Sequence, residues 1–235
     1  MPSYNVGRGG NFMFYQEALL KSILKRYTPD IIILDILPNE FSDKGNIDYD
    51  RLSVLLPYYK KHPEIRSIVN LKSPFEKYKS YSETYRFNSL LLPSISGWLD
   101  IHKRSQRDTL QGFLPLHGSL KMELKENKST QPDILDTNKV NAFKTFITLC
   151  KQKGIEVYVF ISPSYSLNEE TNTTVKFASD FTRNAGYYFQ SYLEDTTFLN
   201  NNSLFKDQLH LNIDGAELYT KKVIQTIKSH RAAKQ

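Results

Sequence analysis

Ile31-Ile-Ile-Leu-Asp-Ile-Leu37, set between the turn Tyr27-Thr-Pro-Asp30 and the stop Pro38-Asn39-Glu40, decides how this chain is read. A continuous run of β-branched and large apolar residues has the pattern of a strand covered on both faces, as in a parallel sheet. The segments around it keep an α/β rhythm. Tyr4-Asn5-Val6 is a short strand end, Gly7-Arg8-Gly9-Gly10 a glycine-rich turn, and Asn11 to about Tyr27 a helix with Phe12, Tyr15, Leu19, Ile23 and Tyr27 on one face. Further on, Asp136 to Lys153 predicts a helix with Val140, Phe143, Ile147 and Cys150 inward and Gly154 as its stop. Ile155-Glu-Val-Tyr-Val-Phe-Ile161 is the next strand, ending in Ser162-Pro163-Ser164. Glu169 to Ala185 follows as a helix and Tyr187-Tyr-Phe189 as a short strand. The expected fold class is α/β, a three-layer α/β/α sandwich on a parallel sheet, with its chemistry at the carboxyl ends of the strands.

The rhythm is broken between about residues 42 and 135. Helices are expected near 50–60, 75–86 and 87–103, Gln111 to Gly118 reads as a structured loop, and Lys121 to Asp133 as a solvated stretch. That much sequence between two strands is an insertion, expected as a helical cap beside the strand ends of a single domain spanning 1–235. His117 stands alone in its loop, where a histidine is more often structural than catalytic.

Ser203-Leu-Phe-Lys-Asp-Gln-Leu-His-Leu-Asn-Ile-Asp-Gly-Ala216 closes the pattern. Asp207 and His210 lie three residues apart, just ahead of a helix that Asn212 can cap and that Asp214 and Glu217 charge negatively in its first turn. Ala216, Tyr219, Val223 and Ile227 then recur at helical spacing, with Lys228, His230 and Arg231 at the far end. A carboxylate one short turn before an imidazole can hold its Nδ1 proton and leave Nε2 free as a base. Alone, such a pair is more often a surface Asp and a His that helps to start a helix.

Composition sets outer bounds. The 235 residues, 40% of them hydrophobic and 13% aromatic, suffice for one α/β domain carrying an insertion. Lys plus Arg exceed Asp plus Glu by 31 to 25, a surplus with no single basic stripe or nucleic-acid motif behind it. The single Cys150 rules out a disulfide within the chain and fits a core position. No apolar run reaches membrane length, so no membrane span is expected, and no signal peptide is seen. Neither a phosphate-binding Gly-Lys-Ser/Thr ending, nor Rossmann glycine spacing, nor a metal-ligand cluster is present, and no cofactor is expected.

Asp207-x-x-His210-Leu-Asn-x-x-Gly215 resembles the last conserved block of the SGNH (GDSL-type) hydrolases, in which this Asp and His belong to a Ser-His-Asp triad. Two further stretches carry the resemblance, which covers most of the chain outside 42–135. Asn5-Val6-Gly7-Arg8-Gly9-Gly10 fits the family's Asn-x-Gly-x-x-Gly block, and Leu37-Pro38-Asn39-Glu40 keeps the Asn of its Gly-x-Asn-Asp block while losing the Gly and exchanging Asp for Glu. The resemblance implies a flavodoxin-like sandwich and hydrolysis of an ester on a carbohydrate or lipid. It makes His210 the base and Asp207 its orienting carboxylate, with Gly10 and Asn39 as donors to the oxyanion. The family's Gly-Asp-Ser block would precede Tyr4, so both the nucleophile and the first strand are expected upstream of Met1. Ser3, Ser162 and Ser164 do not occupy the nucleophile's position. Three readings are therefore open: part of a serine esterase, an inactive module of this type binding a glycan or protein partner, and a basic nucleic-acid binder, which has the least behind it.

Overall fold

The computed structural model describes residues 3–43, 45–98, 113–121, 134–165, 172–199 and 201–234. It is a mixed α/β structure with a three-stranded, wholly parallel sheet. Two compact units make up the chain. The first comprises Met1–Thr28, Asp43–Leu114 and Asn138–Phe146; the second comprises Pro29–Ser42, Pro115–Thr137 and Ile147–Gln235.

The second unit holds the sheet. Its strands β1 (Ile31–Ile36), β2 (Glu156–Ile161) and β3 (Tyr188–Ser191) lie in the order β1-β2-β3, with Ile31 opposite Glu156 and Tyr158 opposite Tyr188. β2 is central, and its uninterrupted apolar run is buried from Val157 through Ile161, so both of its faces are covered. Tyr158, Phe160, Tyr192 and Val223 form one core cluster, against which Tyr219 and Ile227 also pack. The four-residue spacing of Tyr219, Val223 and Ile227 thus lays α8 (Ile213–Ala232) along this face of the sheet. Each large side chain buried there contributes about 1.5–3 kcal/mol. The crossover from β2 to β3 runs through α7 (Thr173–Asn184), whose N-cap Asn172 accepts from the Val175 N–H at 3.0 Å.

β1 departs from its expectation. Leu34 and Ile36 are buried, but Ile33 is 53% exposed and Asp35 is also open to solvent. Among the described residues β1 pairs with β2 alone, so it is an edge strand with one bare side. An apolar run does not by itself distinguish a strand paired on both sides from an edge strand. The expected strand at Tyr4-Asn5-Val6 does not form. The Asn5 side chain accepts from the Gly7 N–H at 2.9 Å, a local turn that diverts the backbone, and Tyr4 and Val6 are exposed.

The first unit is helical: α1 (Met13–Ile23), α2 (Asn46–Asp50), 3-10 turns at Arg51–Tyr58 and Pro63–Ile65, α3 (Arg66–Val69), α4 (Glu76–Lys79), α5 (Glu83–Trp98) and the first part of α6 (Thr137–Gln152). Among the described residues of 42–135, none joins the sheet, and one isolated bridge links Ser42 to Leu135. The predicted helix end at 99–103, the start of the 111–118 loop, the stretch 122–133 and the start of the 169–185 helix lie outside the described residues. The buried face of α1 is also not the expected one. Met13, Phe14, Glu17, Ala18 and Leu20 are inside; Phe12, Tyr15, Leu19 and Ile23 are half-buried and Tyr27 is exposed. Glu17 is accommodated by an ion pair to Lys21 at 2.6 Å, although desolvation still raises its pKa. Deeper in, Lys139 of α6 pairs with Asp48 of α2, both side chains almost wholly buried.

Candidate functional site

The loop carrying Asp207 and His210 is built from its own backbone. Phe205, 1% exposed, anchors it and forms a bridge to Leu211, and the Lys206 N–H donates to the His210 carbonyl at 2.8 Å. Within this closed turn the Asp207 carboxylate accepts the N–H groups of Leu209 and His210, each at 2.9 Å. The same carboxylate meets His210 Nδ1 at 2.9 and 3.0 Å. Desolvation works to raise the Asp207 pKa, but the Leu209 N–H, the imidazole and the His210 N–H outweigh it and hold the carboxyl low. Both side chains are more than half exposed, so the pair adds little to stability. Its effect is on orientation: Nδ1 is engaged, and Nε2 makes no hydrogen bond among the described residues.

The rest of the Asp207-x-x-His210-Leu-Asn-x-x-Gly215 motif has structural work of its own. The Asn212 Oδ1 accepts from the Gly215 N–H at 3.0 Å and caps α8, as its position predicts. Its Nδ2 donates to the carbonyls of Ser203 and Gly118, at 2.6 and 3.0 Å, tying the loop to a second segment of the same unit. Gly215 is packed so closely against the Leu204 carbonyl that a Cβ would collide with it.

This loop is pinned to the sheet. The Tyr165 N–H and the Ser164 Oγ both donate to the Gln208 carbonyl, at 3.0 and 3.3 Å, and the Tyr165 ring meets Phe205 edge-on at 5.6 Å. Ser162 to Tyr165 leave the carboxyl end of β2, so Asp207 and His210 stand at that edge of the sheet. Asn39 follows the carboxyl end of β1 and shares this edge. Its turn is closed by the Glu40 N–H to the Leu37 carbonyl at 3.0 Å and held at its exit by the Asp136 N–H to the Phe41 carbonyl at 2.7 Å. The Asn39 side-chain amide makes no hydrogen bond among the described residues. Gly10 belongs to the first unit. It sits just ahead of α1 with φ of 72°, its carbonyl bonded to the Arg51 guanidinium.

Within an apolar strand the Asp35 carboxylate needs a partner, for which the sequence offers Arg8. It instead accepts from the Ser162 N–H at 3.1 Å, also at the carboxyl edge. Desolvation by the surrounding strand ends pushes Asp35 up to about 7, against the lowering influence of the Tyr219 hydroxyl and the Ser162 N–H. Solvent reaching the residue from the bare side of β1 works against that push. The signal for it was present in sequence, as a carboxylate in an apolar strand, but not its partner.

Two described serines near this edge have other partners. Ser164 is buried on Gln208, and the Ser203 Oγ donates to the Asn201 Oδ1 at 2.6 Å. The Cys150 thiol is buried and pushed up to about 12, which keeps it from acting as a nucleophile. One concavity of the second unit runs along β3 and the later turns of α8, between Tyr188, Gln190, Lys222 and His230, and includes none of the candidate residues. No described helix is long and apolar enough to cross a membrane. No family model, curated protein or solved structure matches the chain.

Proposed function

We propose that this chain belongs to an SGNH-type ester hydrolase acting on an acyl group carried by a carbohydrate or a lipid. The observation that carries the reading is the Asp207–His210 pair, in which a carboxylate braced by two backbone N–H groups holds Nδ1 and leaves Nε2 open to solvent. In that role His210 takes the proton of a serine hydroxyl as the oxygen attacks the ester carbonyl. The tetrahedral oxyanion receives a hydrogen bond from the Asn39 amide. His210 then returns the proton to the leaving alcohol, and water repeats the cycle on the acyl-enzyme. The nucleophilic serine comes from a strand that the 235 residues do not include. What supports this reading is that, among the described residues, the outer side of β1 is unpaired and Ile33 is exposed there.

Ester hydrolysis by a natural translation product that extends upstream of Met1 is the test. A small acyl ester should be turned over, with a loss on the order of 10³-fold or more on His210→Ala. The 235-residue chain by itself should show no serine-dependent turnover. An inert extended product, or one indifferent to His210→Ala, contradicts the hydrolase. A second reading, an inactive module that binds a glycan or protein partner, is favoured by one observation: among the described residues no hydroxyl is bonded to His210 Nε2.

A further inference from the structure

We propose that α5 of the first unit is an interfacial helix that seats the chain on an anionic lipid bilayer. Phe87, Leu90, Leu91, Ile95 and Trp98 are spaced so that they share an arc of about 140° on the helix. Every one of them faces solvent, from 40% exposure at Phe87 and Leu90 to 85% at Trp98, and Leu92 beside the arc is 78% exposed. A water-facing helix surface carries charged and polar residues there.

The helix is held by its other side. The Tyr85 hydroxyl donates to both oxygens of buried Glu76, at 2.8 and 3.0 Å, and Arg86, 4% exposed, pairs with Glu83. Tyr85 lies opposite the apolar arc and Arg86 borders it, its guanidinium over the Phe87 ring. The exposure of the arc itself shows that it is turned away from the unit's own core. Apolar side chains exposed in this number and alignment mark a docking surface.

Charge selects the occupant. Of the chain's 31 Lys and Arg residues, eighteen belong to the first unit, against nine of the 25 Asp and Glu; the second unit has the acidic remainder in excess. Lys60 and Lys79 beside the first turns of α5 are ion-paired to Glu83 and Glu76, at 3.0 and 3.3 Å, so the attraction comes from the surplus of the unit as a whole. A second copy of so basic a unit is repelled, whereas anionic headgroups are attracted. At sixteen residues, with Pro93 inside it, the helix is about 24 Å long, shorter than a hydrocarbon core of about 30 Å, so it lies on the bilayer and does not span it.

Trp98 is the only tryptophan, which makes the chain its own reporter. Its emission should shift to the blue when the chain is mixed with phosphatidylcholine–phosphatidylglycerol vesicles and return on raising the salt, with little change on pure phosphatidylcholine. Leu91→Glu combined with Ile95→Glu, both at exposed positions, should lower partitioning by about tenfold or more while leaving the far-UV spectrum intact. An unchanged emission on anionic vesicles overturns the proposal. So does an equal, salt-insensitive shift on neutral vesicles. A blue shift without lipid, accompanied by a dimer mass in sedimentation, overturns it in favour of a second copy.

Discussion

Replacing Asn212 by Ala isolates what holds the candidate loop in place. Asn212 is 4% exposed and its side chain makes three hydrogen bonds, one accepting from Gly215 and two donating to the carbonyls of Ser203 and Gly118. Loss of an N-cap of this kind costs about 1 kcal/mol. Each of the two donor bonds contributes about 1 kcal/mol net, and more where the abandoned carbonyl stays out of reach of water. The sum is a loss of about 2–4 kcal/mol, to be measured as a shift of the urea midpoint at unchanged slope. Asn212→Asp separates the terms, since it keeps the cap and favours the helix dipole but turns a carboxylate toward two carbonyls. It should therefore be no more stable than the Ala variant by more than about 1 kcal/mol. Hydrogen exchange at Leu209 and His210 should quicken in both variants, because the loop loses its tie to Ser203. A loss below about 0.5 kcal/mol for Asn212→Ala, or an Asp variant as stable as the parent, would refute the reasoning.

Lys139→Ala leaves Asp48 buried without its cation and should cost about 3–5 kcal/mol, while Lys139→Met with Asp48→Leu should recover most of that; urea unfolding distinguishes the two outcomes. Asp35 binds its proton more tightly folded, at about 7, than at its ordinary 3.8, so the folded chain carries an extra proton between those pH values. Stability should fall as the pH rises through that window, and Asp35→Asn should flatten the profile and be the more stable form above pH 7 in thermal melts. Gly215→Ala drives a Cβ against the Leu204 carbonyl and should cost about 1–3 kcal/mol, whereas Gly97→Ala, with nothing within 4 Å, should gain up to about 1 kcal/mol in the same assay.

The parts of this structure legible in sequence are those fixed by local chemistry. The β2 run, the Gly154 stop, the Asn212 cap and the Tyr219–Val223–Ile227 stripe each depend on neighbours within a turn or a strand, and each is where the pattern puts it. The Asp207–His210 contact belongs with them, because a three-residue turn brings the two together. What failed depended on partners remote in sequence. Ile31 to Leu37 has the composition of a doubly covered strand, yet its coverage is decided by whether anything lies beyond β1. Tyr4 to Val6 has strand residues but no ladder to join, and the Asn5 side chain takes the Gly7 N–H instead. The face of α1 rotated because Glu17, polar in any pattern, is carried inside by Lys21. Asp35 could be recognised as a carboxylate in an apolar strand, but its partner Ser162 lies 127 residues away.

The proton on the His210 ring tests the account most directly, since everything proposed for this edge of the sheet rests on Asp207 holding Nδ1. ¹⁵N-detected NMR of the 235-residue chain, with His210 identified among the five histidines by its loss in His210→Ala, reads the tautomer without any substrate. The account predicts that neutral His210 carries its proton on Nδ1 and that Asp207→Ala shifts the population toward Nε2–H. A parent chain already in the Nε2–H form, or one whose tautomer does not respond to Asp207→Ala, would contradict it.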